Sequence, residues 1–236
     1  MAGAVCLLGG IADPELRLHR FAEHLRTRTA EEAAWTLAEL WNRVASGERL
    51  AQAIGLGLLD TKRLARVLGT NPLKEAHAIL EANGHVSAGL FSSGELRQGM
   101  QEDGGMPRPK EPVGFRISLA HRAAVRVLDR LLFDPDARVV RTILGNPRLI
   151  EADVVKLAAS RRATAEVLEV IAQDDRWIVR YPVKLALANN PASPLRVVLG
   201  LLPYLLHQDL RAMATESSRA EVREQASGLL SQRRGS

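Results

Sequence analysis

Two pairs of acidic residues are the side chains in this sequence that best suit general acid–base chemistry. One pair is Asp134 and Asp136, and the other is Asp174 and Asp175. A hydrolase that uses two carboxylates needs one to donate a proton and the other to accept it. Both pairs stand where a helix is predicted to begin, however, and capping the first N–H groups of a helix is a sufficient role for an aspartate. We therefore interpret these acids as structural residues.

The histidines and glycines do not form a metal or cofactor motif. His19 and His24 are five positions apart, a poor spacing for two metal ligands on one helix, and no H-E-x-x-H sequence occurs. The run 55–57, Gly-Leu-Gly, lacks the preceding strand that a dinucleotide-binding loop requires. The single cysteine, Cys6, excludes an internal disulfide and favours a reducing compartment. We expect no catalytic residue, metal or cofactor, no enzyme activity, and a cytoplasmic location.

An aromatic and cationic group is the strongest candidate for binding a partner. Its members are Trp177, Arg180, Tyr181 and Lys184. On one continuous helix these four would share a face that could hold a peptide, a nucleotide or a phosphate backbone. Pro182 lies inside the run, so the helix either kinks there or begins at Tyr181. The alternative interpretation is that the two aromatic rings pack against a neighbouring helix while the two cations extend to water or pair with acids.

Basic residues also recur at intervals of four, a spacing that places side chains on one face of a helix. The first stripe is Arg122, Arg126 and Arg130, the second is Arg176, Arg180 and Lys184, and Arg138 and Arg141 lie on a predicted helix between them. On stacked helices these stripes would merge into one basic surface. The alternative is a solvated face with local ion pairs, each contributing a few tenths of a kcal/mol.

The charge balance permits an acidic partner without requiring one. The net charge is +5, with 32 Lys and Arg against 27 Asp and Glu. Residues 1–113 carry 13 basic and 14 acidic side chains, and residues 114–236 carry 19 and 13. A protein dedicated to nucleic acid usually has a larger and more segregated excess of positive charge. The composition therefore favours a protein partner over a nucleic acid, and an acidic surface or segment would suit the excess of positive charge.

The elements that position these residues are predicted to be short helices. Aromatic residues make up only 4% of the chain, which favours helices packed through small side chains over a sheet. Helix-start signals include Asp13-Pro14-Glu15 and the capping box of Thr29 and Glu32. In the C-terminal half we predict helices over 116–132, 136–144, 150–159, 164–173, 177–189, 194–205, 208–215 and 219–231. The apolar start of the chain is too short to span a membrane, and no membrane partner is expected.

A short phrase occurs three times: an apolar helical stretch, a small residue, and then Asn-Pro. Its asparagines are Asn71, Asn146 and Asn190. A helix–turn–helix unit used repeatedly indicates stacked repeats rather than one closed core. Pro147 and Pro191 are 44 positions apart, which we interpret as two helix pairs.

Glycine and proline divide the chain. Residues 92–113 contain several of both with few apolar residues, which is typical of a linker or a long loop. We therefore predict an N-terminal helical block over 1–91, a flexible linker over 92–113 and a C-terminal helical-repeat block over 114–236.

The C-terminal block resembles a known family of folds. The run 134–147, with its Asp-Pro, Val-Val-Arg and Asn-Pro groups, resembles the unit of HEAT-like and leucine-rich-repeat-variant α-solenoids. The run 175–191 resembles a segment of uncharacterised bacterial helical-repeat proteins. The resemblance covers about 134–230 and implies an α-solenoid that binds or scaffolds another protein without catalysis. The alternative is nucleic-acid binding along the basic stripes, since HEAT-like alkylpurine DNA glycosylases hold DNA on a similar architecture.

Overall fold

A computed structural model describes residue 8 and residues 11–85, 87–91, 110–123 and 125–234. All regular secondary structure in these residues is helical, with short turns between the helices, so the all-α prediction is confirmed for them. No helix among them is both long and apolar enough to cross a membrane. Most of the predicted linker, residues 92–109, lies outside the described residues.

The first two helices of the N-terminal part begin where the sequence signals predict. The helices of this part are α1 (Pro14–Arg26), α2 (Ala30–Ala45), α3 (Arg49–Leu58), α4 (Thr61–Leu68), α5 (Thr70–Ala82) and α6 (Ala88–Phe91). The Asp13 carboxylate accepts the N–H of Glu15 at 2.7 Å and so caps α1. Thr29 and Glu32 form the predicted capping box at the start of α2, with both reciprocal bonds present.

The helices of the C-terminal part are shorter than predicted in two places. They are α7 (Val113–Arg122), α8 (Val125–Leu131), α9 (Ala137–Leu144), α10 (Glu151–Ala159), α11 (Ala165–Ala172), α12 (Tyr181–Asn189), α13 (Leu195–Leu201), α14 (His207–Glu216) and α15 (Ala220–Arg234), with a 3-10 turn at Leu202–Tyr204. The predicted helix over 116–132 is wrong, because Ala123 adopts an extended conformation with ψ 127°. The predicted helix over 177–189 begins only at Tyr181, which is one of the two alternatives that Pro182 left open.

The chain divides into two compact units that differ from the predicted blocks. The first unit contains Met1–Gly94 and Leu195–Ser236, and the second contains Glu95–Pro194. Residues 195–236 thus group with the N-terminal helices. Arg196 donates to the Leu59 carbonyl at 3.0 Å, and the Tyr204 hydroxyl donates to the Gln52 carbonyl at 2.9 Å. These bonds fix α13 and the 3-10 turn to the region of α3. The Tyr204 hydroxyl is buried there, and this burial raises the pKa of the phenol.

In the first unit, α2 packs against α3 and α5, and α14 packs against α15. Close approach is needed at one point in this unit, because a Cβ added to Gly200 would clash with the Leu59 side chain. The core of this unit is built from fully buried Phe21, Leu37, Leu40 and Leu64.

In the second unit, alternate helices lie side by side. Helix α7 packs against α9, α9 packs against α11, and α10 packs against α12. The core between them is formed by buried aliphatic side chains, among them Val140, Ile143, Leu157, Leu168 and Leu187. Because α7, α9 and α10 each pack on the helix two positions further along the chain, the turns that follow α9 and α11 are brought close together.

Candidate interaction surface

The turns of the second unit share one hydrogen-bond pattern. In each, a small polar side chain accepts the backbone N–H of the residue two positions later. The accepting residues are Asp134 at 2.9 Å, Asn146 at 2.9 Å, Ser160 at 3.2 Å, Asp174 at 3.0 Å and Asn190 at 2.9 Å. Three helices, α10 to α12, lie between the second and the last of these residues. The interval of 44 positions therefore spans one and a half helix pairs, and the prediction of two pairs is wrong.

Two of the three Asn-Pro asparagines tie alternate helices together. The Asn146 amide donates to the Ala120 carbonyl at 3.0 Å, near the end of α7. The Asn190 amide donates to the Ala158 carbonyl at 2.7 Å, at the end of α10. Asn146 thus follows α9 and caps α7, and Asn190 follows α12 and caps α10. Both satisfy carbonyls that the end of a helix leaves unpaired. Asn71 differs, because it is exposed and lies inside α5.

Trp177 belongs to the core rather than to an open surface. Its side chain is in the turn before α12, and the residue is only 3% exposed. The indole N–H donates to the Leu144 carbonyl at 3.0 Å, which caps α9 as the asparagines cap other helices. The predicted helical face shared with Arg180, Tyr181 and Lys184 is therefore wrong. The alternative interpretation, in which the tryptophan packs inward, describes its position correctly.

Two arginines in these turns have their guanidinium groups held in place. Arg176 lies over the Trp177 ring, with its Cζ 4.3 Å from the ring centroid. It donates to the carbonyls of Asn146 at 3.3 Å and Leu149 at 3.4 Å. Arg148 donates to the Ala123 carbonyl at 3.3 Å, and both arginines are nevertheless exposed. Sequence reasoning missed Arg148, although its position two residues after Asn146 matches that of Arg176 after Asp174.

Two exposed apolar side chains belong to the same turns as these arginines. Ile150 is 59% exposed and Val179 is 55% exposed. Glu151 begins α10 and Arg180 precedes α12, and their side chains approach to 3.8 Å, which places the two turns next to each other. We name Arg148, Ile150, Arg176, Val179 and Arg180 together the turn surface.

The predicted residues Tyr181 and Lys184 lie beside this surface in the first turn of α12, and both are half-buried. Lys184 donates through Nζ to the Val179 carbonyl at 3.0 Å. Burial lowers the pKa of this lysine. The ammonium therefore stabilises the turn that presents Val179.

The other predicted basic residues do not form continuous stripes. The first stripe is interrupted at Ala123 between two helices, and the second begins outside α12. Arg138 pairs with Asp136 at 2.8 Å, and this hydrogen bonding lowers the pKa of the Asp136 carboxyl.

The remaining members of the stripes are dispersed. Arg130 lies 3.5 Å from the Glu111 carboxylate, and Arg141 donates to the Gln173 side chain at 3.5 Å. Arg122 is exposed at the end of α7. The side chain of Arg126 lies outside the described residues.

Asp136 caps the start of α9 as predicted, whereas Asp174 lies in a turn and not at the start of a helix. Asp134 is buried and accepts both a 2.7 Å and a 3.2 Å bond from the guanidinium of Arg116, which is also buried. Asp174 accepts the N–H groups of Arg176 at 3.0 Å and Trp177 at 3.3 Å. Burial raises the pKa of the Asp174 carboxyl, opposed by these two hydrogen bonds.

Within the described residues, no three His, Cys, Asp or Glu side chains are grouped so that they could hold a metal ion. Comparison with protein-family models, with curated proteins and with solved structures finds no significant match to this chain.

Proposed function

We propose that this protein is a helical-repeat interaction module, and that a partner protein binds across the turn surface. The observation that carries the proposal is that Ile150 and Val179 are both more than half exposed, on two firmly held turns that the Arg180–Glu151 pair places next to each other. Arginine and apolar side chains at the centre of an interface contribute most of the binding free energy in many protein complexes. The turn surface combines these residue types.

The mechanism that we propose is presentation of a rigid surface. The caps from Asn146 and Trp177 fix the turns before any partner arrives. A preorganised surface loses less conformational entropy on binding than a flexible one does. The packing of alternate helices and the repeated caps support an α-solenoid arrangement in the second unit. A cytoplasmic location stays a prediction from the single cysteine.

Nucleic-acid binding is the less favoured function. Several of the basic residues predicted to contact phosphate pair with acids in this unit, including Arg130 with Glu111 and Arg138 with Asp136. Each such pair lowers the positive potential that a phosphate backbone would meet. The experiment below distinguishes the two functions.

A quantitative pull-down with the full chain tests the proposal. The bait is compared with a double variant, Ile150→Asp with Val179→Asp, in a nuclease-treated lysate. The matched control is Arg161→Glu with Arg162→Glu, because these exposed residues follow the opposite end of α10. Circular dichroism establishes that all baits have the same helicity.

We expect proteins that are retained by the wild type and the control and depleted about tenfold or more by the double variant, which corresponds to about 1.4 kcal/mol. Equal retention by all three baits would contradict the proposal. Retention that disappears on nuclease treatment would favour nucleic acid.

A further inference from the structure

We infer that the segment bound on the turn surface is an extended, acidic peptide with a carboxylate at every third residue. The inference rests on the proposed function and adds the chemistry and spacing of the partner. It follows from the positions of Arg148 and Arg176, which are equivalent residues of alternate turns.

The equivalence of the two arginines is visible in their hydrogen bonds. Each donates its backbone N–H to the side chain of the residue two positions earlier, Asn146 in one turn and Asp174 in the other. The Arg148 turn follows α9, and its guanidinium donates to a carbonyl just beyond the end of α7. The Arg176 turn follows α11, and its guanidinium donates to a carbonyl just beyond the end of α9. The two guanidinium groups therefore repeat with the period of the helix packing.

This period sets the spacing of the partner's charges. Helices α9 and α11, which precede the two turns, pack directly against each other. Packed helices are about 8–10 Å apart, so the two guanidinium groups are separated by about the same distance. A peptide extended in the polyproline II conformation advances about 3.1 Å per residue with three residues per turn, so side chains three residues apart lie on one face and are separated by about 9 Å. Carboxylates with that interval match the two arginines.

The chemistry of the surface selects a carboxylate and apolar neighbours. A guanidinium forms paired hydrogen bonds with a carboxylate, and a guanidinium held in place loses little entropy in doing so. Arg180 adds a third cation, whose distance of 3.8 Å from Glu151 is a weak, exposed pairing that a ligand carboxylate can replace. Ile150 and Val179 are exposed on the same two turns as these cations and favour apolar side chains between the acids.

Fluorescence anisotropy with synthetic peptides tests the inference on the full chain. The probe is a labelled 12-residue peptide with four repeats of Asp-Leu-Ser. One comparison peptide has the same composition arranged as four repeats of Asp-Leu followed by four Ser, so that no two Asp are three residues apart, and the other has Lys in place of Asp. The protein variants are Arg180→Glu with Val179→Asp, and the control Arg161→Glu with Arg162→Glu. A labelled oligothymidine is measured in parallel.

The expected result is that the periodic acidic peptide binds the wild type and the control at least about tenfold more tightly than it binds the Arg180→Glu, Val179→Asp variant. Equal binding of the rearranged acidic peptide would overturn the spacing, and tighter binding of the Lys peptide would overturn the charge. If neither acidic peptide binds while the pull-down still yields a partner lost with Ile150→Asp and Val179→Asp, the inference fails and the proposed function stands. Tighter binding of oligothymidine through Arg180 would overturn both.

Discussion

Replacing Asn190 by alanine tests the claim that the Asn-Pro asparagines hold alternate helices together. The residue is only 4% exposed. Its amide donates to the carbonyls of Ala158 at 2.7 Å and Ser160 at 2.9 Å, and its side-chain oxygen accepts the N–H of Ala192 at 2.9 Å. The substitution removes all three bonds and leaves the end of α10 without this cap.

The expected loss of stability follows from these bonds. An intramolecular hydrogen bond contributes about 1 kcal/mol net, and a buried carbonyl left without a partner costs about 1–3 kcal/mol. Water can reach the Ser160 and Ala192 groups, which are half-buried, so we expect Asn190→Ala to lower the free energy of unfolding by about 3 kcal/mol. In a chain of this size, a loss of that magnitude lowers Tm by about 6–12 °C.

Urea denaturation followed by far-UV circular dichroism measures the effect. Asn71→Ala is the matched control, because Asn71 belongs to the same Asn-Pro phrase but is exposed inside α5. We expect the control to change the free energy of unfolding by less than about 0.5 kcal/mol. A small effect of Asn190→Ala, or an equal effect of both substitutions, would refute the role assigned to the buried asparagine.

Three further substitutions test individual contacts. Trp177→Phe keeps a ring under the adjacent guanidinium but loses the indole N–H bond, so it should lower the free energy of unfolding by about 1 kcal/mol in urea denaturation; an unchanged midpoint would contradict the capping role. Asp174→Asn should be stabilising near pH 7, because burial raises the pKa of this carboxyl and the folded protein loses stability as pH rises from the ordinary value of 3.8 through the raised one. The Tm of the variant should exceed that of the wild type by an amount that grows from pH 3 to pH 7. A Tm difference that does not change with pH would contradict the raised pKa. Gly200→Ala should destabilise by about 1–3 kcal/mol through its clash with Leu59, whereas Gly228→Ala, which has open space around it, should be neutral or stabilising in the same thermal melts.

Local signals in the sequence located many helix starts correctly. Asp13 and Thr29 cap α1 and α2 as predicted, because their partners are only two or three residues away. The break between α7 and α8 was not predictable in this way. The carbonyl of Ala123 accepts from Arg148, which is 25 positions later and becomes a neighbour only after the helices pack.

The candidate surface was predicted in part. Arg176 and Arg180 belong to both the second predicted stripe and the turn surface. Trp177 is buried instead, and its indole N–H bonds to a carbonyl 33 positions earlier. The grouping of residues 195–236 with the N-terminal helices depends on still longer separations, such as the 137 positions between Arg196 and Leu59. Periodicity within a single helix contains no information about contacts of this kind.

Site-specific photo-crosslinking tests the central claim most directly. A photoreactive residue is placed at Val179 in the turn surface and, in a second protein, at Arg161 beyond the opposite end of α10. Both positions are exposed. The account predicts a discrete protein adduct from position 179 that survives nuclease treatment, is absent from position 161 and disappears when Ile150→Asp is added. Equal adducts from both positions, or a nucleic-acid adduct at position 179, would contradict it.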